Sequence, residues 1–406
     1  MLLNNEELKF LEEDKEEGKL TEIEINEKYQ RGEMRIVTEQ GRYPLKNIKS
    51  ILSSDIKLNP EYQRRRVWSN IQKSKLIESF IMNIPVPPVF LYEIDFSKYE
   101  VMDGLQRLST LYDFYDDRFK LTGLELWSEL NGMKYSELPE KIQKGIDRRY
   151  ISTIVILNET AKSKSEEHIL KKFVFERLNT GGTRLTEQET RNALYDGKMN
   201  QLCIKIAKEN NTLHNLWKIR PFVDDITDSI DEEVNEEQDR DKKIYVRMED
   251  VELVLRFFAY RQLEEIPATK LKDVLDIYIK QANEYYSDQL IDELEDLFNK
   301  TIDLVDCIYG DKAFLMYTKR KNGNFQWYPK PSKLVYDPIL GVLYEYAYDN
   351  HKKIKLISKK EEIIKRTEEL FITNSSDFNG RNNNKSDVIR RKELFRNIFE
   401  NILGEE

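Results

Sequence analysis

The chain has 406 residues, 74 acidic and 65 basic side chains and a formal net charge of −9. This length exceeds the usual size of a single hydrophobic core, so we expect two domains. Hydrophobic residues make up 39% and charged residues 34%, which argues against a disordered chain, and no apolar run approaches the roughly 18 residues of a membrane span. The acidic start lacks the basic and apolar regions of a signal peptide, so we expect a cytoplasmic protein. Nucleic-acid binding by such an acidic chain would depend on local basic patches.

Cysteine and histidine usage argues against metal and thiol chemistry. Cys203 and Cys307 lie far apart in apolar helical segments, which predicts two buried thiols and no disulfide. The chain has only three histidines, and none is spaced as a metal pair or set in a nuclease signature. We therefore do not expect histidine-centred hydrolysis.

The first third of the chain predicts an arm, a capped helix and two strands. Residues 1–34 are a charged N-terminal arm. Ser69 and Gln72 form a capping box, and the apolar stripe that follows predicts a helix ending near Asn83. The segment PVPPVFLYEI is predicted as an edge strand, because its prolines would damage a central one. A second strand, KYEVM, stops at Asp103.

Residues 101–110, VMDGLQRLST, predict a strand, a glycine turn and a helix start in immediate succession. A helix N-terminus offers free backbone N–H groups and the positive end of the helix dipole, which together bind anions. Arg107 could then grip phosphate oxygens, Gln106 could orient a water, and Asp103 could bind a metal or accept a proton. Taken alone, the segment is explained more simply by a plain turn with Asp103 as N-cap and Arg107 in a surface ion pair.

The remaining sequence predicts an α+β fold with a mainly helical C-terminal region. YISTIVILNET predicts a strand and SELPEKIQKGIDRR a helix, and Thr186 with Glu189 caps another helix. The segment 224–242 is an acidic loop with ten acidic residues between 224 and 241. It separates a domain at 35–223 from a helical domain at 243–406. SEEHILKKFVFERLN predicts an amphipathic helix whose inward residues are Ile169, Leu170, Phe173, Val174 and Leu178.

Two further segments are ambiguous by themselves. EYQRRRVWS at 61–69 places three arginines between Tyr62 and Trp68, which suits phosphate or nucleotide recognition but also describes a solvated basic turn. FERLNTGG at 175–182 ends a helix in polar residues and glycines, as an ordinary C-cap loop does.

Taken together in order and spacing, EYQRRRVW, VMDGLQRLST and FERLNTGGTRLTEQE resemble the GmrS-type N-terminal domain family, which is marked by a DGQQR motif. The resemblance covers about residues 45–200. It implies a small ParB/sulfiredoxin-like mixed-sheet core that binds a nucleoside triphosphate, GTP or another NTP, with Mg²⁺ bridging the phosphates. It also implies an NTP-hydrolysing subunit of a modification-dependent restriction or other phage-defence system.

The resemblance assigns roles to individual residues. Asp103, Gly104, Gln106 and Arg107 match four of the five motif residues and would form the phosphate cradle and the hydrolytic centre, with Asp103, Gln106 and Arg107 catalytic. The remaining assignments are Gln63, Arg64, Thr180 and Gly181 to nucleotide binding and Asn179 to the metal. Leu105 departs from the family's glutamine, and we expect it to face the core because it begins the apolar stripe of the helix.

The leading hypothesis is a Mg²⁺-dependent NTPase acting as a regulatory or sensor subunit, with a nuclease supplied by a separate chain, because nothing after residue 260 resembles an HNH nuclease. Self-association into a homo-oligomer and contact with DNA are compatible with this hypothesis. The alternative is a ParB-like DNA-binding module without hydrolysis, whose affinity should fall steeply with salt and should not require Asp103. A directly acting ParB-like nuclease ranks last. The candidate nucleic-acid contacts are Arg64, Arg65, Arg66, Arg148, Arg149, Arg390 and Arg391.

Overall fold

The computed structural model describes residues 2–8, 21–30, 36–57, 68–160, 164–178, 186–219, 244–245, 247–320, 323–380 and 383–404. These residues fall into two compact units. The sheet unit contains the described residues from 21 to 194, and the helical unit contains residues 2–8 and the described residues from 195 onwards. The predicted acidic boundary at 224–242 lies outside the described residues, so the predicted domain limits stay predictions.

A mixed sheet forms the centre of the sheet unit, and it confirms the predicted α+β class. Its order is β1-β5-β3-β4-β2. β3 runs parallel to β5 and antiparallel to β4, β1 is antiparallel to β5, and β2 is parallel to β4. The strands are β1 (Thr38–Pro44), β2 (Ile56–Lys57), β3 (Val89–Asp95), β4 (Lys98–Asp103) and β5 (Tyr150–Ile156).

The prediction of an edge strand at PVPPVFLYEI was wrong, because β3 lies between β5 and β4. The strand begins at Val89, directly after Pro88, so every residue within it keeps the backbone N–H that a central strand needs. Val89 and Leu91 are fully buried, as expected for a strand with partners on both sides.

Helices cover this sheet, and its core contains Leu91, Val101, Leu108 and Leu111. The two predicted capping boxes are confirmed: Ser69 with Gln72 and Thr186 with Glu189 exchange reciprocal hydrogen bonds. The predicted helix over SELPEKIQKGIDRR is shorter than expected and follows a separate 3-10 turn at Tyr135–Glu137. The helices are α1 (Glu22–Gln30), α2 (Ile48–Ser54), α3 (Asn70–Ile81), α4 (Leu105–Tyr115), α5 (Glu140–Asp147), α6 (Lys164–Leu178) and α7 (Glu187–Leu194).

The predicted inward face of α6 was partly wrong. Leu170 is buried as expected, but Phe173 is 46% exposed, and the Arg177 guanidinium lies 4.1 Å from the centre of its ring. Phe175 is buried in its place. Apolar residues at 173, 174 and 175 lie on different sides of a helix, so spacing alone could not decide which aromatic ring packs inward. Val174 and Leu178 are half-buried, and the side chain of Ile169 lies outside the described residues.

The helical unit confirms the mainly α-helical C-terminal region. A short antiparallel hairpin interrupts it, formed by β6 (Tyr317–Lys319) and β7 (Phe325–Trp327). None of the helices in the described parts of the chain is long and apolar enough to cross a membrane. The helices are α8 (Lys198–Glu209), α9 (Asn211–Trp217), α10 (Glu249–Arg261), α11 (Leu271–Tyr285), α12 (Asp288–Tyr309), α13 (Lys333–Leu343), α14 (Asn350–Ser358), α15 (Lys360–Thr373) and α16 (Lys385–Gly404).

The two cysteines lie in different environments. Cys203 in α8 is buried as predicted, whereas Cys307 near the end of α12 is exposed, so the prediction of a second buried thiol was wrong. The apolar neighbours of Cys307 face the core at helical spacing, and Cys307 itself occupies the outer face between them.

The N-terminal residues 2–8 belong to the helical unit, where they bury a carboxylate. Glu6 is fully buried and lies 2.5 Å from an Arg261 guanidinium nitrogen. The Gln262 amide and the Tyr286 hydroxyl both donate hydrogen bonds to the Glu6 backbone oxygen, at 3.0 and 2.7 Å. This part of the predicted charged arm is therefore held inside the helical unit.

Candidate functional site

The junction of β4 and α4 has the predicted strand, glycine turn and helix start. β4 ends at Asp103 and α4 begins at Leu105. Gly104 is the N-cap residue, with a left-handed φ of 99°. A Cβ atom at this position would lie 2.8 Å from Val89 Cγ2 and 2.9 Å from Arg107 Nη2. Both the backbone conformation and the close packing therefore require glycine.

Arg107 is fixed by its neighbours one turn into α4. Its Nη2 donates to Asp103 Oδ2 at 2.7 Å and approaches the Pro88 carbonyl oxygen at 3.4 Å. The Arg107 side chain is only 13% exposed, whereas that of Asp103 is 38% exposed. Arg107 Nε is buried and has no hydrogen-bond partner among the described residues. The guanidinium is thus held in place next to the helix N-terminus, with one donor unused.

This geometry differs from the simpler explanation of the segment in two respects. Asp103 is not the N-cap, because that position belongs to Gly104 and the cap makes no side-chain hydrogen bond. The ion pair of Asp103 with Arg107 is not an ordinary surface pair either, since the arginine is mostly enclosed. Its enclosure favours a positioned cation over a freely moving surface side chain.

The other two residues of the motif face inward. Leu105 is 7% exposed and belongs to the hydrophobic core, which confirms the expected orientation of this residue. Gln106 is 9% exposed, and its Oε1 accepts a hydrogen bond of 3.3 Å from the backbone N–H of Trp68. This bond joins the second motif to the described end of the first motif, EYQRRRVW.

A buried ion pair behind the site connects α3 to α4, and no sequence pattern indicates it. The Lys73 ammonium lies 3.2 Å from Asp113 Oδ2, with side-chain exposures of 11% and 2%. The same ammonium lies 5.3 Å from the centre of the Phe119 ring. Because the pair is 40 residues apart in sequence, no local spacing rule could have identified it. It fixes the helix that carries Gln106 and Arg107.

Three of the four predicted nucleic-acid contacts that the structure describes have structural partners. Arg149 donates from Nε to the Phe80 carbonyl oxygen at 3.1 Å and from Nη2 to that of Ile81 at 3.5 Å, so it caps the C-terminus of α3. Arg148 is exposed. Arg390 pairs with Asp377 at 2.9 Å, and Arg391 is buried and donates to the Asp377 backbone oxygen. Gln63, Arg64, Arg65, Arg66, Asn179, Thr180 and Gly181 lie outside the described residues.

A protein-only metal site was not found in the described parts of the chain: no three or more His, Cys, Asp or Glu side chains form a suitable cluster there. At the motif, Asp103 supplies the solvent-accessible carboxylate. The predicted metal ligand Asn179 is not among the described residues, so its placement stays a prediction.

The family comparison agrees with the motifs. Residues 48–195 match the model of the family described as the GmrSD restriction endonuclease N-terminal domain. This match includes all three motifs, covers less than half of the chain and ends next to the division of the two units between Leu194 and Tyr195. No curated protein and no solved structure matches the chain.

Proposed function

We propose that the sheet unit binds a nucleoside triphosphate at Asp103, Gly104 and Arg107, because residues 48–195 match the model of the GmrSD restriction endonuclease N-terminal domain. We propose further that it hydrolyses this nucleotide as a regulatory or sensor component of a restriction or phage-defence system. The family match supports the restriction setting, and the nucleotide chemistry is our inference from the site.

The observation that carries the proposal is the fixed guanidinium of Arg107 at the start of α4. The backbone N–H groups of the first helical turn and the helix dipole attract an anion. Arg107 adds a formal positive charge beside these N–H groups. These are the features of a phosphate site.

The side chains of the motif have two proposed roles: some hold neighbouring groups in position, and one accepts a proton. Asp103 orients Arg107 through their ion pair and keeps a carboxylate accessible to solvent, where it could accept a proton from an attacking water. Gln106 is held by Trp68 at the base of the motif, so it positions the first motif against the helix. Leu105 occupies the core and makes no direct contribution to the chemistry.

A bound Mg²⁺ would neutralise phosphate charge and help to orient the nucleotide. Mg²⁺ is commonly held by one or two carboxylates together with substrate phosphates, and Asp103 fits this arrangement. Asn179 remains the second proposed ligand, and Gln63, Arg64, Thr180 and Gly181 the further proposed nucleotide contacts.

The proposal includes a separately encoded nuclease, because nucleotide hydrolysis alone cleaves no DNA. The sequence after residue 260 contains a single histidine, His351, which lacks the companions of an HNH motif. Binding of that nuclease or of a second copy of this chain would convert the nucleotide state into a cleavage signal.

The deciding experiment measures phosphate release from each of the four NTPs with Mg²⁺, together with binding of a fluorescent triphosphate. Arg107→Ala should lower turnover by roughly 100-fold, as expected when a donor to transition-state charge is removed. Arg118→Ala is the matched control, because Arg118 lies just beyond the C-terminal end of the same helix and pairs with Asp116 at 2.8 Å. It should retain both activities.

Two outcomes would contradict the proposal. The first is a wild-type chain that neither binds nor hydrolyses any of the four nucleotides. The second is an Arg107→Ala variant that behaves as the wild type does. DNA binding that needs neither nucleotide nor Asp103 would instead support the ParB-like module.

A further inference from the structure

The hairpin of the helical unit stands out by its charge. The sequence from Lys312 to Tyr336 contains six basic residues and no acidic residue, in a chain with more acidic than basic side chains. We call the described residues 317–320 and 323–330 the basic hairpin. The six basic residues are Lys312, Lys319, Arg320, Lys321, Lys330 and Lys333.

Two of these cations are neutralised by the protein itself. Lys312 lies 3.8 Å from a Glu368 carboxylate, and Lys333 lies 3.1 Å from Glu252. Lys319 and Lys330 are exposed, and no carboxylate of the described residues forms an ion pair with either. Their charges are therefore available to an external anion.

Arg320 is fixed at the turn that joins the two strands. Its backbone N–H donates to the Asn324 carbonyl oxygen at 2.8 Å, and Gly323 adopts a left-handed φ of 87°. The Arg320 guanidinium lies 4.9 Å from the centre of the Tyr328 ring. Arg320 Nε is buried without a hydrogen-bond partner among the described residues. A stacked guanidinium retains its charge and its in-plane donors, which suits contact with phosphate.

The aromatic residues of the hairpin anchor it to the helical unit. The Trp327 indole N–H donates to Glu368 at 2.9 Å, and its ring meets Phe371 of α15 edge to face. None of the hairpin aromatics is among the exposed large hydrophobic residues of the described chain. The exposed side chains include the amines of Lys319 and Lys330, the amides of Asn324 and Gln326, and the ring of Pro329.

This distribution separates the candidate partners. Insertion into a membrane needs exposed apolar or aromatic side chains, and binding of single-stranded nucleic acid uses exposed rings for base stacking. The basic hairpin has half-buried rings that pack against one another, against Arg320 or against α15, so they are poorly available for either role. It offers cations and amides on a narrow anchored ribbon, which fits the regularly spaced phosphates of a duplex.

We propose that the basic hairpin binds the phosphate backbone of duplex DNA, through Lys319, Arg320 and Lys330 and without reading base sequence. The surface lies in the helical unit, outside the residues that match the family model. The proposal does not depend on nucleotide binding at Arg107, and it assigns the DNA contact to a different unit from the one that contains Arg148 and Arg149.

The test is fluorescence anisotropy of the full chain with labelled duplex DNA of two unrelated sequences, in a salt titration without nucleotide. The triple variant Lys319→Ala, Arg320→Ala, Lys330→Ala should bind at least about tenfold more weakly at about 0.1 M salt, equally for both sequences. The slope of log affinity against log salt is negative, and its magnitude should decrease by about 2.7, since each lost phosphate contact removes about 0.9.

The matched control removes the same charge elsewhere on the helical unit. Lys208, Lys352 and Lys360 are all exposed, and their triple alanine variant should bind DNA like the wild type. Equal loss in both triple variants would overturn the proposal, because it would show a general charge effect. The double variant Lys319→Ala, Lys330→Ala changes only exposed side chains, so its reduced binding would support the proposal even where loss of Arg320 disturbs the turn.

A parallel arm uses vesicles of phosphatidylcholine with phosphatidylserine. Vesicle binding without duplex binding would overturn the proposal in favour of a membrane surface, and absence of both would overturn it outright. Since no nucleotide is present, these outcomes are independent of the hydrolysis assay.

Discussion

Two arginine–carboxylate pairs, one in each unit, show how the same chemistry serves different purposes. Arg107 and Asp103 in the sheet unit are separated by 2.7 Å, with side chains 13% and 38% exposed. Arg261 and Glu6 in the helical unit are separated by 2.5 Å, and both are fully buried. Both arginines also have guanidinium nitrogens without hydrogen-bond partners among the described residues. An unused donor is therefore not sufficient evidence of a ligand site.

Access to solvent distinguishes the two pairs. The unused nitrogens of Arg261 share their surroundings with aromatic rings, and the centre of the Tyr344 ring lies 4.7 Å from the guanidinium. Asp103 lies where a strand ends and a helix begins, and its carboxylate remains accessible. The enclosed Arg261–Glu6 pair stabilises the helical unit, whereas the Arg107–Asp103 pair is partly open to solvent, as our proposal of a nucleotide site requires.

The largest expected effect is on the buried pair. Glu6→Gln removes the carboxylate and leaves the Arg261 charge uncompensated in the interior, which should reduce the free energy of unfolding by about 3–5 kcal/mol. Denaturant unfolding followed by circular dichroism measures this change. Glu7→Gln is the control, since the neighbouring Glu7 side chain is exposed and its substitution should change stability by less than about 0.5 kcal/mol. Equal stabilities of the two variants would show that the buried pair does not stabilise the helical unit.

The next effect concerns the turn at the candidate site. Gly104→Ala forces a side chain into a left-handed conformation and into contact with Val89 and Arg107. We therefore expect the free energy of unfolding to fall by about 2–4 kcal/mol and triphosphate binding to be lost. Gly132→Ala is a matched control, because Gly132 also has a left-handed φ, of 87°, but open space where its Cβ would lie. The free energy of unfolding of Gly132→Ala should fall only by the cost of the left-handed backbone, about 1–2 kcal/mol, and the variant should still bind the triphosphate. If Gly132→Ala lost binding as well, the close packing at Gly104 would not explain the result.

Local signals explain which parts of this site could be predicted from the sequence. The alternating and helical spacings around Asp103 and Leu105 depend on neighbouring residues, and the strand, turn and helix followed from them. The Lys73 pair with Asp113 and the Glu6 pair with Arg261 join residues 40 and 255 positions apart, which no local pattern connects. The prediction of an edge strand for β3 was wrong because the prolines precede the strand and do not lie within it.

A smaller effect is expected at the position where the motif departs from the family. Leu105→Gln introduces the family's glutamine but places an amide in the hydrophobic core, which should reduce the free energy of unfolding by about 1–3 kcal/mol. Because Leu105 faces away from the phosphate site, triphosphate affinity measured below the unfolding temperature should change by less than about threefold. Leu105→Met conserves volume and polarity and should cost less than about 1.5 kcal/mol. A gain in NTP turnover in Leu105→Gln would show instead that this position reaches the nucleotide.

The smallest expected effect concerns the reactivity of the two cysteines, which reports on opening of the helical unit. Burial raises the pKa of the Cys203 thiol and shields it, whereas Cys307 is exposed. A thiol reagent such as an aromatic disulfide should therefore label Cys307 rapidly at neutral pH, and Cys203 only when the unit opens. Cys307→Ser should abolish the rapid phase of labelling, and Cys203→Ser should leave that phase unchanged.

In the Glu6→Gln background the slow phase, which is the labelling of Cys203, should become faster, because loss of the buried pair raises the population of open molecules. An unchanged slow phase would mean that the Glu6 pair and the Cys203 environment open independently.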